Sequence, residues 1–196
     1  MSSKSHARTD QLAFRRCLGA FPTGVTVVTY DAPDGRRGTT VNSFVSVSLD
    51  PALVLVSIGT GARARTGLEG ASFAINILSA HQRDVAVHFA GRPGEGLRVP
   101  WHPDSSVPRL RECAAWLECR PWRTVEAGDH ALFIGEVVAF GHHPSATPLI
   151  FHAGAFAGKQ PNPPGARRPS LADRLDRRRD VETWSEAGAT SSAVPA

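Results

Sequence analysis

From Gly24 to Phe156 the chain is a succession of short segments rich in valine, isoleucine, threonine and phenylalanine, separated by clusters of glycine, proline and aspartate. β-Branched and aromatic side chains fit a pleated surface, whereas Gly, Pro and Asp supply the dihedral angles of chain reversals. GVTVVTY (24–30) followed by DAPDGRRG reads as a strand, a hairpin turn and the start of a second strand. In that second strand Val45, Val47 and Leu49 alternate with Phe44, Ser46 and Ser48, so one face is apolar and the other mostly hydroxyl. A barrel wall with a polar face has room for a ligand. LVLVSI (53–58) is a continuous apolar run of strand length, and FAINIL (73–78) alternates Phe73, Ile75 and Ile77 with Ala74, Asn76 and Leu78; both read as buried strands. AAWLECRPW and HALFIGEVVAF, separated by a turn with Gly128 and Asp129, add two more, and LIFHAGAF (149–156) a last short one.

Only two segments carry a clear helical signature. Phe14, Leu18 and Phe21 recur at helical spacing between Thr9 and Phe21, with Thr9 or Asp10 to cap the first turn and Gly19 and Pro22 to stop it. SAHQRDVAVHFAG (79–91) opens with Ser79 and Gln82 in capping-box spacing, sets Val85 and Phe89 on one face and ends at Gly91. Many strands with two short helices argue for an antiparallel barrel rather than a doubly wound sheet.

A length of 196 residues, 41% of them hydrophobic, suffices for one core without metals or disulfides. Cys17, Cys113 and Cys119 are odd in number and lack paired short spacings, which fits a reducing compartment. The start of the chain has no apolar run of signal-peptide length, and no stretch of about 18 apolar residues could span a bilayer. The expectation is a soluble, cytoplasmic protein. The net charge of +4 comes from arginines scattered among acidic neighbours, a pattern that suits small anionic ligands such as nucleotides better than nucleic acid. Composition divides the chain into a flexible segment 1–10, a domain over 11–160, and a Pro/Arg-rich, then small-residue tail over 161–196 with little to bury, expected to be largely disordered.

Few features carry chemistry. Gly59, Gly61 and Ala64 follow LVLVSI in a loose G-x-G-x-x-A form, but no crossover helix follows and no acidic residue stands about 20 positions on. A polar loop between strands is the better reading, and such a loop can still donate N–H groups to a phosphate. Thr39, Thr40, Asn42, Ser43, Ser46 and Ser48 concentrate short polar side chains in one strand-like stretch. His130, beside Asp129, stands where a carboxylate could orient an imidazole toward a ligand. His142 and His143 have no metal-ligating neighbours at useful spacing, so no metal is expected. Nucleophile elbow, HExxH helix, P-loop and carboxylate pair are all missing, which leaves hydrolase and phosphoryl-transfer mechanisms without their parts.

FRRCLGAFPTGVTVVT, TTVNSFVSVSLDPALVLVSI, FAINIL, GDHALFIGEVV and PLIFHAGAF, in this order, resemble the flavin reductase family of two-component flavin monooxygenases. The resemblance covers about residues 11–160. It implies a mainly β, FMN-binding split barrel of Greek-key type with a few short helices, working as a homodimer with flavin in a groove near the subunit interface. It further implies flavin contacts through Thr40, Val41, Asn42 and Ser43, and through Ser57, Ile58, Gly59 and Thr60, with Arg65 or Thr66 on the flavin phosphate. GDH carries over as Gly128, Asp129 and His130, with His130 where the nicotinamide nucleotide approaches. Phe151 stands where the family often has tyrosine, and tyrosine is frequent near Phe156 as well; stacking survives but a phenol hydrogen bond does not.

The implied reaction is hydride transfer from NADH or NADPH to FMN or FAD, with reduced flavin passed to a partner monooxygenase and no nucleic acid or membrane involved. Two other readings stay open at this point. One is a non-catalytic flavin- or haem-binding split-barrel protein; the other is an oxidoreductase that retains its flavin and acts on an organic substrate.

Overall fold

The computed structural model describes residues 3–158; the tail expectation for 161–196 lies outside the described residues. The first helix, α1, runs Ser3–Gly19 and so begins earlier than the Thr9 start expected from its apolar spacing. It closes with Ala20 N–H on the Cys17 carbonyl and Phe21 N–H on the Leu18 carbonyl, both 3.1 Å, just ahead of Pro22. In chain order there follow β1 (Thr23–Gly24), β2 (Thr26–Ala32), β3 (Gly35–Val41), β4 (Val45–Leu49), β5 (Ala52–Gly59), α2 (Arg63–Gly67) and β6 (Phe73–Ile77). A 3₁₀ turn, Ala80–Gln82, leads into α3 (Arg83–Phe89), and the chain ends with β7 (Ala115–Ala127), β8 (His130–His142), β9 (Leu149–His152) and β10 (Ala155–Gly158).

Seven strands form one antiparallel sheet in the order β3-β2-β6-β7-β8-β5-β4, and β1-β9-β10 form a small second one. β3 and β4 are the two edges of the large sheet, yet only residues 42–44 join them. Three residues reach little more than about 10 Å, so the sheet must curl until its edges converge at this corner. Among the described residues no ladder joins β3 to β4, and the barrel stays open there.

The chain pattern departs from the sequence reading in three places. The stretch expected as one strand with a hydroxyl face is two strands, and Val45, Val47 and Leu49 are 51%, 47% and 91% exposed rather than buried. LIFHAGAF is a hairpin of two strands, β9 and β10, turning at Ala153 and Gly154, both with positive φ. The polar loop after β5 contains α2, one short turn of helix whose Ala64 is buried.

β2 is buried on both faces, which is why its run of valine and threonine does not alternate with polar residues. Val28 and Tyr30 join Val54, Val56, Ile58, Phe73, Ile75 and Phe133 inside the curl. Val27 packs on the other side with Leu78, Val85, Leu110 and Leu149, beneath α3 and the small sheet. At the start of the 3₁₀ turn, the Gln82 Oε1 accepts the Ser79 N–H at 3.0 Å, as the capping spacing predicts, while the Ser79 hydroxyl donates to the Glu112 carbonyl at 2.6 Å. Cys113 and Cys119 are buried, which pushes both thiols up to about 12; neither is a nucleophile at neutral pH.

Gly135 sits where β8 crosses the aromatic core. A Cβ there would stand 2.6 Å from Phe73 Cζ on β6 and 2.9 Å from Cys119 Cβ on β7. Gly135→Ala is therefore expected to destabilise the domain by about 2 kcal/mol through overpacking, read as a lower midpoint in urea unfolding.

Candidate functional site

β5 and β8 run side by side with Gly59 opposite His130 and Ser57 opposite Leu132. Because strand side chains alternate, burial of Val54, Val56 and Ile58 on β5 and of Ala131 and Phe133 on β8 assigns Ser57, Gly59, Leu132 and His130 to the outer face. The corner 42–44 folds against this face, and together they form a groove of about 300 Å3 lined by Thr39, Thr40, Val41, Asn42, Ser43, Ser57, Ile58, Gly59, Ala62 and His130. The structure thus brings together nine of the residues singled out from the sequence.

Their side chains are not equally available. The Thr40 hydroxyl donates to the Ala86 carbonyl of α3 at 2.7 Å. Ser43 Oγ donates to the Ser57 carbonyl at 2.9 Å and accepts the Ser57 N–H at 3.0 Å. Val41 packs against the core, and Ile58 is 2% exposed. These four can meet a ligand only through backbone or at the periphery. Thr39, Asn42 and the Ser57 hydroxyl make no side-chain hydrogen bond among the described residues.

His130 is oriented from behind. Its Nδ1 lies 2.7 Å from Asp129 Oδ1, and because a carboxylate only accepts, Nδ1 carries the proton. The bond to His130 and its charge hold the Asp129 carboxyl below the usual carboxylate range, with a smaller pull from Arg15. Nε2 is left facing the groove, 3.9 Å from where a Cβ on Gly59 would stand. Glycine at this position keeps open the space in front of the imidazole.

Gly128, with φ at +65°, starts the turn that carries Asp129. Thr60 donates twice to the Asp129 carbonyl, from N–H at 2.9 Å and Oγ1 at 3.1 Å, which ties the loop after β5 to the β7–β8 hairpin tip. Arg65 strengthens this tie by pairing with Glu126 on β7 and with Glu69 on its own turn. Arg65, Thr66 and Thr60 do not line the groove, and the Arg65 guanidinium is already matched by two carboxylates. His142 and His143 stand at the far end of β8, and no cluster of three metal-ligating side chains exists among the described residues.

A second, larger trench of about 1100 Å3 adjoins the groove and shares Asn42 and Ser43 with it. Its walls are mostly apolar: Leu18 and Phe21 at the end of α1, Phe44, Val45, Ile77 and Phe151, with Arg15 as its cation. Phe151 meets Phe156 edge to face, with centroids 5.4 Å apart. Sequence reasoning missed Arg15 and Phe44 as site residues, although both lie inside the motifs it quoted. A planar aromatic ligand with a polar rim and an anionic tail matches this pair of cavities: apolar walls for rings, and, for polar edges, the outward Nε2 of His130 with the Thr39, Asn42 and Ser57 side chains, which make no side-chain hydrogen bond among the described residues.

The family described as "Flavin reductase like domain" matches residues 18–160. The chain is 47% identical over 136 residues to the stachydrine N-demethylase reductase subunit Stc3 of Rhizobium meliloti, covering 67% of this chain and 59% of that one, so it spans under two thirds of that relative. It is 45% identical over 148 residues to the NADH-dependent FMN reductase SmoA of Agrobacterium fabrum, covering 74% of this chain and 83% of SmoA. Among solved structures, the NADH:FAD oxidoreductase SgcE6 of Streptomyces globisporus in complex with NAD and FAD fragments superposes with a TM-score of 0.70 at 37% identity, over 81% of this chain and 96% of that one. No described helix is long and apolar enough to cross a membrane.

Proposed function

This chain belongs to the flavin reductase like domain family, and we propose that it is an NADH-dependent flavin reductase whose site is the groove between the 42–44 corner and His130, together with the adjoining trench. The observation that carries this reading is the imidazole of His130, held by Asp129 and aimed across the gap left by Gly59 into a groove lined by short polar side chains. When bound, the nicotinamide supplies a hydride and the flavin accepts it, so the chemistry belongs to the cofactors.

The protein's part is alignment and exclusion of water. Asn42 and Thr39 offer donors and acceptors to the flavin rim, Phe44 and Phe151 offer faces against which rings stack, and His130 Nε2 positions the nicotinamide nucleotide. Arg15, which has no carboxylate partner among the described residues, is better placed than Arg65 to meet a phosphate. None of these residues has to give or take a proton for hydride transfer.

Exposed apolar side chains on the strands of the large sheet support a homodimer. Val45, Val47 and Leu49 on β4, Val125 on β7, and Val138 and Phe140 on β8 are exposed, with Phe140 at 75%. Large apolar side chains left exposed on several strands are surface of the kind that marks an interface, and a second copy would cover them. Reduced flavin is then released to an oxygenase partner in the cytoplasm, in keeping with relatives named as a reductase subunit of stachydrine N-demethylase and the reductase component of a flavin-dependent trigonelline monooxygenase.

Anaerobic stopped-flow mixing of the protein with NADH and excess FMN tests the reading. Bleaching of the visible flavin band over many turnovers is expected. A single turnover limited to copurified flavin would point to a flavin-retaining enzyme, and no bleaching would remove the activity altogether.

A further inference from the structure

The β4–β5 ladder ends at Val45 opposite Leu55. Carried two residues further, the same register sets Ser43 against Ser57, whose N–H and C=O on this side of the strand need partners. They find them in one atom: Ser43 Oγ accepts the Ser57 N–H at 3.0 Å and donates to the Ser57 carbonyl at 2.9 Å. A hydroxyl is both donor and acceptor, so a single side chain makes the two bonds that a continuing strand would make with its backbone. Meanwhile the backbone N–H and C=O groups of Asn42 and Ser43 have no backbone partner among the described residues, and both residues line the groove.

We propose that Ser43 is a positioning residue: its hydroxyl substitutes for a ladder strand on Ser57 and thereby leaves the Asn42–Ser43 backbone groups to bond a planar imide edge, such as the pyrimidine rim of a flavin. The inference rests on the flavin reading for the identity of the ligand, but the staple itself is a property of the flavin-free chain. It also pins the open corner of the barrel to β5, two residues from the Gly59 that faces His130. Ser43 thus acts on the ligand through the backbone it positions, and its hydroxyl is occupied before any ligand arrives.

Two measurements on the full chain separate this role from direct contact. In flavin-free protein, Ser43→Ala is expected to lower protection of the Ser57 amide against hydrogen exchange by about tenfold, the scale of one lost hydrogen bond, with core amides such as that of Phe133 unchanged. FMN titrated by fluorescence quenching is expected to bind about tenfold more weakly, with the loss in Kd and flavin KM rather than in kcat. Ser43→Thr keeps the hydroxyl and should restore both readings. Unchanged Ser57 protection in Ser43→Ala with weakened FMN binding would overturn the proposal in favour of direct contact, and unchanged FMN affinity would overturn it outright. Should the alanine variant fail to fold, a folded Ser43→Thr that still loses FMN affinity overturns it too. Wild-type protein that does not bind FMN would instead refute the flavin reading, leaving the exchange result to judge the staple.

Discussion

His130→Ala is expected to lower kcat/KM for NADH by about 10- to 100-fold, the span of one charge-assisted hydrogen bond lost at a positioned site, while FMN affinity changes little. The asymmetry follows from where the ring stands. Nδ1 is committed to Asp129 at 2.7 Å, and Nε2 faces the open groove from the outer row of β8, whereas the corner 42–44, proposed to meet the flavin, is held by Ser43 and Ser57 without help from the imidazole. Asp129→Asn provides a graded control, because an amide can bond the ring in either orientation and so no longer fixes the tautomer. Steady-state kinetics with NADH and FMN varied independently check both variants. An unchanged KM for NADH in His130→Ala would remove the residue from the site, and stability is expected to shift by no more than about 0.5 kcal/mol at so exposed a position.

The acid side of this arrangement has a definite sign. The Asp129 carboxyl is held below the ordinary carboxylate range by its bond to His130 and by the charge of the ring. A depressed carboxyl pKa favours the folded arrangement above the unfolded-chain value, and that contribution is lost as pH falls through the lower, folded value. Orientation of His130 by Asp129 therefore persists through neutral pH and fails only in acid, below the usual carboxylate range. The KM for NADH should show no Asp129 titration between neutrality and that range.

Much of the fold was legible because its signals are local. The valine-rich run of β2, the alternation of β6 and the Ser79–Gln82 spacing all depend on neighbours in sequence, and each stands where those patterns put it. Failures came where the deciding partner lies elsewhere in the chain. Val45, Val47 and Leu49 have the periodicity of a core face, but periodicity gives only the sidedness of a strand, not whether that side meets the protein interior or a second surface. The family resemblance implied ligand contacts through Thr40 and Ser43, yet the partners of their hydroxyls, Ala86 and Ser57, are set by tertiary packing. The resemblance implied Arg65 or Thr66 on a phosphate; Glu69, four residues on from Arg65, was a visible helical partner, but Glu126 arrives only through sheet pairing.

Asn76→Leu is expected to cost about 4 kcal/mol, on the scale of several buried polar groups stranded together. Asn76 is fully buried in the middle of β6, where the alternation of FAINIL would tolerate an apolar residue. Its Nδ2 donates to the Val27 carbonyl and to Thr29 Oγ1, both at 2.9 Å, and its Oδ1 accepts the Leu110 N–H at 2.7 Å. Thr29 in turn donates to the Pro108 carbonyl. One amide thus anchors the segment around Pro108–Leu110 to β2 and β6, and a leucine, with the same branching but no polar atom and a larger volume, strands the Leu110 N–H in an apolar layer with Val27 and Leu78. The anchored segment includes Trp101, paired with Leu110 and packed edge-on against Phe89 of α3, whose Ala86 carbonyl receives the Thr40 hydroxyl at the rim of the groove. Urea unfolding followed by circular dichroism should register the loss, with exchange of the Leu110 amide rising before that of β6. A cost below about 1 kcal/mol would mean that side-chain packing, and not this amide, seats the segment on the sheet.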